Sequence, residues 1–190
     1  GAGFSVEEEY TSQLPTIPDA LENTGRVIVV EDSKEGWASA YREFIEALYD
    51  GEICSLDITK VRPRGARLKT FGGTASGPQP FVDLIDITIL KFKGAVGRKL
   101  KPIEVHDLAC AIGDSIVSGG VRRSALISLS DLRDYDMSKA KSGSAWYTSE
   151  KQRQLANNSA VYNSKPSTGE FLQEWGAIYE SYSGERGIFN

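Results

Sequence analysis

The sequence predicts an α/β fold, on three features of its pattern. Short β-branched or alternating runs at residues 26–31, 52–61 and 124–129 are separated by longer stretches whose apolar residues recur every three or four positions. Glycine and proline stand at the joints, at Gly51, Pro63, Gly72, Gly73, Pro102, Gly119 and Gly120. Between residues 52 and 129 the order is strand, loop, helix, helix, strand, the order of a sheet whose neighbouring strands are joined through crossover helices.

Residues 13–25 carry Pro15, Pro18 and Asn23 without any period and read as a loop. Residues 26–31 follow as a short apolar strand. Asp32 with Glu35 three positions later signals a helix start, and Trp37, Tyr41, Phe44, Ile45 and Leu48 then fall on one helical face, which must be buried. Gly51 closes that helix. Residues 52–61 alternate, with Cys54, Leu56 and Ile58 on one side of a half-buried strand. Arg62-Pro63-Arg64-Gly65 breaks it, since proline has no ladder donor. Pro78 or Pro80 suits the first turn of the next helix, faced by Phe81, Leu84, Ile85, Thr88, Ile89 and Phe92. Pro102 opens another, with Val105, Leu108, Ala109, Ile112 and Ile116 spaced for burial and Gly119 at its end. The strand at 124–129 comes next. A short helix is expected within 136–141, Trp146 and Tyr147 anchor a polar stretch, and residues 157–162 form a turn into a strand. Ser167 with Glu170 is a capping box for a last helix faced by Phe171, Leu172, Trp175, Ile178, Tyr179 and Tyr182, closed by Gly184.

A length of 190 residues can bury a full core as one domain, and 40% hydrophobic with 25% charged residues is the composition of a soluble globular chain. The net charge of −4 argues against a general nucleic-acid binder, which carries a basic surface excess. No apolar run approaches the roughly 20 residues that span a bilayer, and no basic-then-apolar leader opens the chain, so a cytoplasmic location is expected. Cys54 and Cys110 lie in apolar periodic segments without C-x-x-C spacing and read as buried free thiols. The single histidine, His106, has no companion ligands in sequence; it reads as structural or surface, and no metal site is predicted.

Two glycine turns carry the candidate chemistry. In Ser118-Gly119-Gly120-Val121-Arg122-Arg123-Ser124, the glycines can adopt positive φ and leave N–H groups facing outward, while two guanidinium groups can fork onto phosphate or stack on a base. The plain alternative is a helix end followed by solvated arginines. In Lys69-Thr70-Phe71-Gly72-Gly73-Thr74-Ala75-Ser76-Gly77-Pro78, Gly, Thr and Ser precede a helical pattern, the composition of an anion site at a helix N-terminus. The four basic residues from Arg62 to Lys69 would by themselves normally be a solvated loop.

Taken in order, Val61-Arg62-Pro63-Arg64-Gly65-Ala66-Arg67-Leu68-Lys69-Thr70-Phe71-Gly72-Gly73, the GGVRRSALISLSD run from Gly119, and Leu155-Ala156-Asn157-Asn158-Ser159-Ala160-Val161-Tyr162 resemble the adenosylcobalamin-dependent (class II) ribonucleotide reductases. The resemblance runs from Gly3-Phe4-Ser5-Val6-Glu7 to Gly184-Glu185-Arg186-Gly187-Ile188-Phe189-Asn190. It implies an incomplete half of a ten-stranded α/β barrel, with residues 1–190 a single piece of the catalytic domain and 26–51 in an effector-side subregion. It implies ribonucleotide reduction to deoxyribonucleotides, in which a cysteine thiyl radical generated by adenosylcobalamin abstracts the ribose 3′-hydrogen.

By the same resemblance Gly72, Gly73 and Thr74 approach the substrate nucleotide. Gly119, Gly120, Val121, Arg122 and Arg123 form the specificity loop that couples a bound deoxynucleotide effector to the base reduced. The family's radical cysteine, in an Asn-Pro-Cys-x-Glu stretch, and its redox cysteines are expected outside these 190 residues, and neither Cys54 nor Cys110 matches such a position. The chain alone is therefore expected to bind no adenosylcobalamin and to catalyse nothing. Its expected partners are the remaining reductase segments, a ribonucleoside di- or triphosphate, an effector and a second copy of itself, with no membrane or polymeric nucleic acid. The alternative is a non-enzymatic nucleotide-binding or partner-binding module on part of the same fold.

Overall fold

The computed structural model describes residues 1–68, 73–118, 121–122 and 125–190, with 117, 118, 121 and 122 described by their backbone alone. Two compact units divide the chain: Gly1–Gln13, Lys101–Gly113 and Ser124–Asn190 form one, Leu14–Leu100 and Asp114–Arg123 the other.

In the second unit, β2 (Glu22–Val29) and β3 (Glu52–Asp57) form a two-stranded parallel sheet joined through α2 (Lys34–Tyr49). Parallel neighbours need a long crossover, and α2 provides it. β2 begins inside the stretch that reads as loop from its composition: Glu22 and Asn23 pair with Glu52 and Ile53, and a register shift before Val27 absorbs the residues around Gly25. α2 is capped by Ser33, whose Oγ accepts from the Gly36 N–H at 2.9 Å, one residue later than the Asp32 signal suggests. Its predicted face is the buried one, led by Phe44 and Leu48 with Ala40 and Ala47. Trp37 of α2 lies against Phe81 of α3 (Gln79–Gly94), ring centres 5.1 Å apart. Tyr41 donates to Thr88 Oγ1 at 3.1 Å, while Thr88 donates onward to the Leu84 carbonyl at 2.7 Å.

In the first unit, β1 (Ala2–Ser5), which is followed by the one-turn helix α1 (Glu8–Thr11), joins β6 (Leu126–Asp131), β7 (Ala156–Val161) and β8 (Gly187–Phe189) in a four-stranded, all-parallel sheet in the order β1-β6-β7-β8. Short helices α5 (Tyr135–Ser138) and α6 (Trp146–Ser149), then a 3₁₀ turn at Lys151–Leu155, join β6 to β7; α7 (Thr168–Ser181) joins β7 to β8. Residues 157–161 thus lie in the strand itself rather than in a turn leading into one, with Tyr162 just beyond its end.

Three expectations need correction. β3, with Cys54 and Leu56, hydrogen-bonds β2 alone among the described residues and is not in the sheet of β6, because α2 closes a local parallel pair while β1 and β7 take both edges of β6. α4 (Pro102–Ser115) stops short of Gly119, and its buried residues are His106, Asp107, Leu108, Cys110, Ala111 and Gly113, while Ile112 and Ile116 are exposed. The face turns because polar partners await His106 and Asp107, as described below. Finally, α7 buries Glu174 and leaves Phe171, Leu172, Trp175, Tyr179 and Tyr182 exposed.

Candidate functional site

Of the first turn, Gly73 and Thr74 lie on a short hairpin. The Gly65 N–H donates to the Ala75 carbonyl at 2.9 Å, the Ala75 N–H to Ala66 at 2.8 Å and the Leu68 N–H to Gly73 at 3.0 Å, while Arg67 and Thr74 face each other in an antiparallel bridge. Gly73 has φ +85°, a left-handed conformation that side chains resist, and open space where a Cβ would stand. Gly77, at φ +75°, closes the hairpin so tightly that a Cβ would sit 2.9 Å from the Arg64 backbone nitrogen. Thr74, Arg64 and Arg67 are exposed, and Arg62 is held by Asp32 at 2.7 Å. The turn thus sits in a basic hairpin ahead of α3, whose own N-terminus has Pro78 and no side-chain cap, not on the helix N-terminus that its composition suggests. Gly72 lies outside the described residues.

Of the second turn, β4 (Val117–Ser118) and β5 (Val121–Arg122) are described as an antiparallel pair, Val117 opposite Arg122 and Ser118 opposite Val121. Gly119, Gly120 and Arg123 lie outside the described residues. A strand pair, rather than a helix end running straight into a strand, therefore carries Val121 and Arg122.

Pattern reading did not find the buried polar lattice of the four-stranded sheet. His106 Nδ1 is 2.9 Å from Ser128 Oγ, and its Nε2 is 3.6 Å from Cys110 Sγ, all buried. Asp107 takes a fork from Arg153, Nε to Oδ1 at 2.6 Å and Nη2 to Oδ2 at 2.8 Å, and Arg153 also donates to the Ala140 carbonyl. Lys141 reaches Glu185 at 2.8 Å and the Ala156 carbonyl, and Glu185 in turn accepts from the Asn158 N–H at 3.3 Å. Arg186, 2% exposed, forks onto Glu174 at 2.7 and 3.2 Å and donates to Ser130 Oγ and to the carbonyls of Asp131 and Leu132. Each charge is paired with its opposite, which is the condition for keeping ions in a low-dielectric interior. Only the alternation of β6, which turns Ser128 and Ser130 inward, hints at this lattice in sequence.

The thiols carry no activation. Burial pushes Cys110 up to about 12, with Asp107 adding to the rise against Lys141 and Arg153. That is opposite to the depressed pKa of a reactive cysteine. Among the described residues no group of three or more His, Cys, Asp or Glu is placed to hold a metal, and no cobalamin site is evident there. No helix of the described residues is long and apolar enough to cross a membrane.

A parallel sheet of β1, β6, β7 and β8 with helical crossovers defines part of an α/β barrel. The whole chain superposes on a crystal structure of a B12-dependent (class II) ribonucleotide reductase with a TM-score of 0.79 at 25% identity, covering 100% of this chain and 30% of that one. Residues 10–90 match the family described as B12-dependent ribonucleotide reductase, insertion domain. The chain is 35% identical to the adenosylcobalamin-dependent ribonucleoside-triphosphate reductase of Lactobacillus acidophilus over 99% of its own length and 25% of the relative's. It is 33% identical to that of Lactobacillus helveticus over 100% and 30%, and 33% identical to a putative one of Mycobacterium phage D29 over 63% and 20%. The chain belongs to the B12-dependent, class II ribonucleotide reductase family and covers only part of a homologous enzyme. It spans 25% to 30% of the length of the two bacterial relatives.

Proposed function

We propose that this chain supplies the substrate turn and the specificity loop of a cobalamin-dependent reductase that converts ribonucleoside triphosphates to deoxyribonucleotides. The observation that carries the reading is the match along the whole chain to relatives named for that reaction, with both glycine turns in the aligned stretch. Gly73, left-handed on an exposed hairpin, lets a nucleotide approach its backbone, beside Gly72 and Thr74. Gly119, Gly120, Val121, Arg122 and Arg123 read the substrate base according to the deoxynucleotide effector. The 190 residues form one piece of the catalytic domain, with 26–51 on the effector side, and work in the cytoplasm with the remaining reductase segments.

Adenosylcobalamin supplies the radical in the complete enzyme, and the thiol that abstracts hydrogen is neither Cys54 nor Cys110, both being buried. The purified chain, given adenosylcobalamin, a ribonucleoside triphosphate and a dithiol, is expected to form no deoxynucleotide. Addition of a polypeptide carrying the flanking reductase segments restores reduction, and Arg122→Ala or Arg123→Ala in that mixture changes which base is reduced under a given effector. Product from the chain alone, or unchanged base selection in both variants, overturns the assignment.

A further inference from the structure

β8 has little of its own to hold it in register. Among the described residues it hydrogen-bonds β7 alone, at three positions: Ser159 stands opposite Gly187, Ala160 opposite Ile188 and Val161 opposite Phe189. A strand finds its register chiefly through the face it buries, yet Ile188 and Phe189 are 49% and 45% exposed. Gly187 contributes one constraint, since a Cβ there would stand 3.1 Å from Ser159 Oγ. The two residues that lead into the strand are held far more firmly. Glu185 accepts from Lys141 Nζ at 2.8 Å and from the Asn158 N–H of β7 at 3.3 Å, while its carbonyl accepts from Ser181 Oγ at 3.2 Å. Arg186 spends its guanidinium on Glu174 of α7, on Ser130 Oγ at 3.0 Å and the Asp131 carbonyl at 2.8 Å, both at the end of β6, and on the Leu132 carbonyl.

We infer that Glu185 and Arg186 form a register lock: two adjacent opposite charges whose partners on α7, β6 and β7, together with Lys141, are all in reach only when Gly187 stands opposite Ser159. A slip of one position moves both side chains by about 3.3 Å along β7, beyond hydrogen-bond range of those partners. It also turns Ile188 onto the face that Gly187 holds. The slipped state then keeps two ions without partners in the interior, which disfavours it by at least about a hundredfold. Replacing a charge pair by apolar side chains of similar size removes that discrimination without stranding an ion, so these charges serve the choice of one arrangement more than the stability of the sheet. The lock is a property of these 190 residues and stands apart from the reductase reading; either can fail without the other.

Nuclear magnetic resonance on the purified chain tests the lock. The wild type is expected to give a single set of amide resonances for Gly187, Ile188 and Phe189, with cross-strand contacts from Ser159 to Gly187 and from Val161 to Phe189. Glu174→Leu with Arg186→Met should keep a cooperative thermal transition but show a second set of resonances for β8 and its neighbours on β7, populated to at least about 10%. Exchange of the Tyr162 N–H, which donates to the Phe189 carbonyl, should quicken by at least about tenfold. Lys141→Met with Glu185→Gln removes the other arm, whose carboxylate is partly exposed, and should give the same doubling. Lys151→Met, at an exposed site of the same unit, should leave one set. A single unshifted set in any pair that folds overturns the proposal, because the ladder and Gly187 then suffice. Failure of both pairs to fold overturns it as well, since the ions then carry the fold and not the register.

Discussion

Arg186 shows how much one side chain can carry. It is almost fully buried, yet it donates to a carboxylate, a hydroxyl and two carbonyls drawn from β6, α7 and the turn after β6. Arg186→Met would leave Glu174 buried without its partner, which costs about 3–5 kcal/mol. The urea midpoint should fall accordingly. Arg186→Lys should recover little, because a single ammonium cannot reproduce the fork. Changing both partners, Glu174→Leu with Arg186→Met, should be less damaging than the single change, since no lone charge is stranded. A double variant less stable than Arg186→Met would show that the carbonyls, not Glu174, carry the cost.

The start of α7 is held by two devices at once. Ser167 Oγ accepts from the Glu170 N–H at 3.2 Å and the Glu170 carboxylate accepts from the Ser167 N–H at 3.1 Å, while Arg133 adds a 2.8 Å contact to the same carboxylate. Arg133 first, and then Ser167, holds Glu170 down to about 2, well below its ordinary 4.5. A depressed carboxylate contributes stability that is present above the unfolded pKa and is lost as pH falls, here between about 4.5 and 2. A carboxyl titration followed by NMR should place the Glu170 midpoint near 2, and Arg133→Ala should move it upward; an unmoved midpoint would remove the arginine from the account. Ser167→Ala should lower stability by about 1 kcal/mol through loss of the cap.

Each compact unit contains one buried cysteine, Cys54 at 6% exposure in the unit of β2 and β3 and Cys110 at 0% in the unit of the four-stranded sheet. A thiol reagent can reach either only when its own unit opens, so the two report on separate cores. At neutral pH in native buffer both should label far more slowly than in the unfolded chain. Of the two, Cys110 should be silent even at mildly alkaline pH, since burial pushes it up to about 12. Mass spectrometry of the labelled sites checks this, and rapid native labelling of Cys110 would contradict the packing described for α4.

Local pattern was enough for the elements whose partners are near in sequence. The stripe of α2, the face of α3 and the Ser167–Glu170 box all stand as periodicity and capping chemistry require, because those signals depend on neighbours within a few turns. The class II resemblance was likewise legible in the glycine and asparagine runs. What long-range contact decided is of another kind. Which strands share a sheet, the start of β2 within an apparent loop, and the inward turn of His106 and Asp107 depend on residues from about 20 to more than 120 positions away, such as Leu126 for Ala2, Glu52 for Glu22, Ser128 for His106 and Arg153 for Asp107. The clearest case is α7: hydrophobic spacing assigns its aromatic arc to the core, whereas Glu174 faces inward to pair with Arg186, a contact no local periodicity encodes, and the arc faces outward.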